Sequence, residues 1–122
     1  MPINVIELMN SVITDAQTLV NELVQNEQTQ RLSADLLKTA QYIRTELAMI
    51  FSDDGSLAID PKITRHNTRA PFGMISSSIY ILKERAEREI TVLSKARLER
   101  LEAIESKVEE VKNRLDELWT LE

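Results

Sequence analysis

The chain has no cysteine, which removes disulfides, thiolate metal sites and thiol nucleophiles together. Glycine occurs only at Gly55 and Gly73, and proline only at Pro2, Pro61 and Pro71. Sandwiches, barrels and glycine-rich nucleotide folds need many tight turns, and tight turns draw on these two residues. The shortage argues against a sheet protein. Aromatics are 4 % of the 122 residues: Phe51, Phe72, Tyr42, Tyr80 and Trp119. Burial must then fall to Leu, Ile, Val and Ala, which suits seams between helices. No stretch approaches the ~18 uninterrupted apolar residues of a membrane span. Residues 1–12 lack a basic segment followed by an apolar run, so no signal peptide is expected. These absences lead to the expectation of a soluble, cytoplasmic protein without a membrane partner.

What the chain does have is apolar periodicity. Val5, Met9, Val12, Ala16, Leu19 and Leu23 step by 4 and 3 in alternation, a heptad seam. Ile6, Ile13 and Val20 widen it, and a wide stripe favours a multi-helix core over a simple dimer. Residues 25–31 are polar, and the periodicity returns out of register at Leu32, Leu36, Ala40, Ile43, Leu47 and Ile50. Either a turn near Asn26 separates two helices, with Thr29 as a capping residue, or one helix runs from 3 to 51. Gly55, following Ser52, Asp53 and Asp54, supplies a left-handed terminator. Residues 52–70 read as a connector without helical period. Pro71 is suited to the first turn of a further helix.

From Ile75 the apolar residues Ile79, Leu82, Ala86, Ile90, Leu93, Leu101, Ile104, Val108, Val111, Leu115 and Leu118 recur at helical spacing, with Arg97 as a gap. Nothing there stops a helix, so residues 71–121 are predicted as one rod of about fifty residues, roughly 75 Å long. The expected fold is all-α: one elongated domain over 1–122, either a long helical hairpin or an elongated three-helix bundle with a ~50-residue C-terminal coiled-coil helix. Shorter N-terminal helices would leave part of the rod uncovered. Leu101, Ile104, Val108, Val111, Leu115, Leu118 and Trp119 are therefore the candidate helical interface with a second copy or a partner helix. Trp119 is the natural anchor, since tryptophan is enriched at interface hot spots.

Charge is distributed unevenly. Residues 1–61 carry a net −6, residues 62–100 a net +5 and residues 101–122 a net −4, which gives −5 overall. The candidate anion-contacting residues are Lys62, Arg65, His66, Arg69, Arg85, Arg88, Lys95 and Arg97. A basic segment of this kind can meet phosphates by counterion release. Equally, it can face the acidic first half of the same or another chain, and it has no neighbouring aromatic platform for stacking on bases. Several opposite charges at i,i+4, among them Glu84 with Arg88 and Lys83 with Glu87, fit a solvated helix face.

Chemistry-bearing patterns are scarce. His66 is the single histidine, and it has neither a second histidine at i+4 nor a cysteine to share a metal. Asp53, Asp54 and Asp60 lack the alternate ligands and twelfth-position glutamate of a calcium loop. No catalytic residue, cofactor, metal or small-molecule substrate is expected. The expected function is that of a non-enzymatic assembly protein, a subunit, adaptor or scaffold. A small nucleic-acid-binding accessory protein is the alternative.

Overall fold

The computed structural model describes residues 3–24, 27–57, 62–89 and 91–119, with side chains throughout except at 62–66. Four helices make up the fold: α1 (Val5–Glu22), α2 (Glu27–Leu47), α3 (Lys62–Arg88) and α4 (Val92–Trp119). α1 packs against α2 and α4, and α3 packs against the same two helices. α1 and α3 thus lie diagonally across the core, as do α2 and α4. α2 and α3 run antiparallel, since Asn67 meets Glu46 and Arg85 meets Gln28, and the result is an all-α helical bundle.

Each helix begins and ends for a local reason. The Asn4 side chain accepts a hydrogen bond from the Glu7 N–H at 3.1 Å and so caps α1. α1 stops with the Leu23 N–H donating to the Leu19 carbonyl, and α2 starts at Glu27. The register loss in the sequence therefore corresponds to a break between two helices. After α2 the chain makes a small closed loop. Phe51 pairs with Leu57 in an antiparallel bridge, the Ser52 N–H donates to the Ser56 carbonyl at 2.8 Å, and the Gly55 N–H donates to the Ser52 carbonyl at 2.8 Å. Gly55 has φ +88°, the left-handed region expected of it, but it closes this loop and does not terminate a helix. Hydrogen bonds from Ser56, its hydroxyl first and its backbone N–H second, hold the Asp54 carboxyl below the usual carboxylate range.

Two expectations are corrected here. The connector predicted over 52–70 is shorter, because α3 already begins at Lys62. Pro71 lies inside α3 and not in its first turn. A proline there removes one helical hydrogen bond and crowds the carbonyl of Asn67. Thr68, Phe72 and Ile75, at i, i+4 and i+7, are all buried, so packing on both sides of Pro71 holds the helix together.

The predicted rod over 71–121 is also two helices. α3 ends at Arg88, and α4 folds back alongside it from Val92. No glycine or proline makes this turn; a side-chain cap does. The Ser94 N–H donates to Thr91 Oγ1 at 3.1 Å, and the Thr91 N–H donates to Ser94 Oγ at 3.0 Å. This reciprocal pair is a capping box built from Thr and Ser. Ser94 Oγ also donates to the Glu89 carbonyl, which ties α4 to the end of α3. Arg97, the gap in the apolar pattern, reaches the Glu89 carboxylate at 3.1 Å across the turn.

The core is the sum of the predicted stripes. Val5, Met9, Val12, Ala16, Leu19 and Leu23 of the first seam are buried, as are Leu36, Ala40, Ile43, Leu47 and Ile50 of the second. Ile75, Ile79 and Leu82 meet Leu101, Ile104, Val108, Val111, Leu115 and Leu118 in the same cluster. Leu93, which the continuous-rod reading placed on the stripe, is exposed because the helix breaks just before it. No helix of the described residues is long and apolar enough to cross a membrane.

Candidate interaction surfaces

The candidate helical interface lies inside the molecule. Leu101, Ile104, Val108, Val111, Leu115 and Leu118 are buried against α1 and α3 of their own chain. Folding α3 back onto α4 supplies the cover that a single rod lacked. Trp119 is half-buried and packs on the edge of the core. With Phe72, Gly73 and Leu115 it lines a groove of about 330 Å³ between α3 and α4, whose polar rim is Arg69, Lys112 and Asp116.

Among the described basic candidates, Arg69 stands apart from Arg85, Arg88, Lys95 and Arg97, which lie toward the α3–α4 turn. Arg69 is exposed at the groove just described. Arg85 donates to the Gln28 side chain at 2.9 Å, Arg88 pairs with Glu84 at 2.7 Å, and Arg97 pairs with Glu89. Lys95 is exposed beside the α3–α4 turn. Along α3, nineteen residues separate Arg69 from Arg88, roughly 28 Å of helix. The side chains of Lys62, Arg65 and His66 lie outside the described residues.

Ion pairs join the helices to one another. Lys107 of α4 reaches Asp15 Oδ2 and Ser11 Oγ of α1, each at 2.7 Å. Arg100 of α4 pairs with Glu22 of α1, and Lys83 of α3 reaches Glu105 of α4 at 3.4 Å. Of the predicted i,i+4 pairs, Glu84 with Arg88 forms, whereas Lys83 turns away from Glu87 to Glu105. Arg114 reaches Glu117 at 3.8 Å, an i,i+3 pair. Lys83 and Arg100 of the basic stretch thus meet carboxylates within the chain, and the Arg100 and Lys107 contacts register α4 against α1.

Residues the sequence did not single out stand at two places. Glu46 of α2 is buried at the α2–α3 interface, where the Asn67 side-chain amide donates to it at 3.3 Å. Partial withdrawal from water, and then this neighbouring carboxylate, raise the Tyr42 phenol above its ordinary value. A carboxylate and a phenol on α2 and an amide on α3 form a polar bracket between the two helices. Among the described residues no group of three or more His, Asp or Glu side chains is placed to hold a metal.

The second place is the end of the bundle where the α1–α2 and α3–α4 turns lie together, as Arg100–Glu22 and Arg85–Gln28 establish. Here Val92 is 87 % exposed, Leu93 68 % and Val24 60 %. Beside them Ala86, Val92 and Leu98 line a shallow concavity of about 820 Å³, rimmed by Glu87, Glu89 and Lys95. Val92 and Leu93 are adjacent, so the turn offers a contiguous apolar tip. The signal for the turn was present in the sequence as Thr91-Val92-Leu93-Ser94, a capping-box spacing without glycine or proline. No protein-family model, no curated protein and no solved structure matches the chain.

Proposed function

We propose that this chain is a non-enzymatic helical assembly protein, a cytoplasmic subunit or scaffold that self-associates through helix packing. The observation that supports this reading is the tip of the α3–α4 turn, where Val92 and Leu93 stand in water although Ile75, Ile79 and Leu82 before the turn and the seam from Leu101 to Leu118 after it are buried. Exposed apolar residues grouped at one place mark interaction sites more often than isolated ones do. The coiled-coil seam and the assembly surface are then different parts of the chain: Leu101 to Leu118 hold the monomer together, and the turn meets a neighbour.

Contact with nucleic acid is the weaker reading. Arg85, Arg88 and Arg97 are engaged by Gln28, Glu84 and Glu89 within the chain, so binding phosphates requires breaking those contacts.

Sedimentation velocity across a wide concentration series tests the proposal. The wild-type mass should rise with concentration. Charge at the tip, as Val92→Glu with Leu93→Glu, should hold the protein at monomer mass while its helical circular dichroism is unchanged. A wild-type chain that stays monomeric throughout the series overturns the reading.

A further inference from the structure

We infer that the α3–α4 turn is an exchange hinge, and that the partner it serves is a second copy of this chain, with α4 of each copy packed in the bundle of the other. The inference rests on the self-association proposed above and specifies its geometry.

Three observations lead to it. The first is register. Ile75, Ile79, Leu82, Ala86, Ile90, Leu93, Arg97 and Leu101 keep steps of 3 and 4 straight through the turn, with no glycine or proline after Gly73. The sequence therefore permits α3 and α4 to join as one helix from Lys62 to Trp119, about 87 Å long at ~1.5 Å per residue. The second is how little closes the turn. It is held by the Thr91–Ser94 cap, the bond from Ser94 to the Glu89 carbonyl and the Arg97–Glu89 pair. All of these are local, and helical backbone hydrogen bonds would replace several of them on opening. The third is exposure: Val92 and Leu93, adjacent apolar residues with little cover, sit at the hinge itself.

In the exchanged form every helix pair of the closed bundle is kept. α4 of one copy lies between α1 and α3 of the other and remakes the Lys107–Asp15, Lys107–Ser11 and Arg100–Glu22 contacts between chains. What is new lies only at the hinge, where two long helices cross antiparallel and residues 92 and 93 of both copies meet. Closed and exchanged forms share one core, so the balance is set by the hinge residues and by concentration. The β-branched run Ile90-Thr91-Val92 is a weak helix former, which favours the closed turn in dilute solution.

Hinge substitutions separate the two forms. Val92 is the first residue of α4 in the closed form, where proline is well tolerated. In a continuous helix, proline at the same position breaks a hydrogen bond and clashes with the preceding turn. Val92→Pro should therefore leave a folded monomer and lower the dimer yield after refolding at high concentration by at least about tenfold. Thr91→Ala removes the cap and should raise that yield about fivefold. Exchange itself is read by chemical crosslinking. Ser11→Cys with Lys107→Cys places two thiols in a chain that otherwise has none, across the α1–α4 contact. A short bis-maleimide should link different chains in the isolated dimer and the same chain in the monomer. A dimer that gives only intrachain links, and that Val92→Pro leaves intact, overturns exchange while the self-association reading stands. No dimer under any condition overturns both.

Discussion

Ile104→Ala tests whether the C-terminal seam stabilises a single chain. Ile104 is fully buried, in the middle of α4, within the cluster that joins α4 to α1 and α3. The substitution removes three carbons, worth about 2.4 kcal/mol at ~0.8 kcal/mol per buried methylene. The unfilled cavity adds to this, which brings the expected loss to about 3–4 kcal/mol. A chain of this length has roughly 6–15 kcal/mol of stability in total, so the variant should stay folded with a clearly lower urea midpoint and an unchanged slope. The assay is urea unfolding followed by circular dichroism at two well-separated protein concentrations. If the seam is intramolecular, the midpoint of wild type and variant alike is independent of concentration in the dilute range. If the seam joined two chains, both midpoints would rise with concentration, because association stabilises by mass action. A loss below about 1 kcal/mol, or a concentration-dependent midpoint in dilute solution, would refute the placement of Ile104 in the monomer core.

Three further outcomes follow from particular contacts. Gly55→Ala should cost about 1–2 kcal/mol in the same unfolding assay, since φ is +88° and the added Cβ would lie 3.1–3.3 Å from Asn4. Asp54 should titrate below the ordinary aspartate value of about 3.9, and Ser56→Ala should raise it only part of the way, since the backbone N–H at 56 still donates to the carboxylate, as read in an NMR titration of the carboxyl carbon. Because the folded value is the depressed one, the stabilisation of the loop is complete above the ordinary value and is lost as pH falls through the folded value. A double-mutant cycle on Asp15→Ala and Lys107→Ala should give a coupling of about 0.5–1.5 kcal/mol that weakens with salt, as suits a half-buried charge-assisted bond.

Much of the fold was legible because burial follows period. The seams through Val5 to Leu23, Leu36 to Ile50 and Leu101 to Leu118 each become one inner face of the bundle. The break between α1 and α2 was signalled by loss of register. What escaped the sequence was the direction of the chain where no residue forbids a helix. The α3–α4 turn depends on a Thr–Ser hydrogen-bonded cap, and its periodicity is compatible with both a straight and a folded form. Pro71 misled for the opposite reason. It is a strong local signal, overridden by the burial of Thr68, Phe72 and Ile75 on either side. The proposed interaction surface was the least legible part. A stripe that can cover another chain looks the same as one that covers its own, and only the fold shows which apolar residues remain outside.

The cap of α1 has a consequence for how the molecule comes apart. Asn4 uses its side-chain oxygen to accept from Glu7, while its amide nitrogen donates to the Asp53 carbonyl in the loop that follows α2. One side chain thus fastens the start of the first helix to a loop 49 positions further along. The first turn of α1 and the loop around Gly55 cannot loosen independently, so the two should exchange their amide protons as one cooperative unit. A helix start that would ordinarily fray on its own shares the fate of a loop 49 positions away.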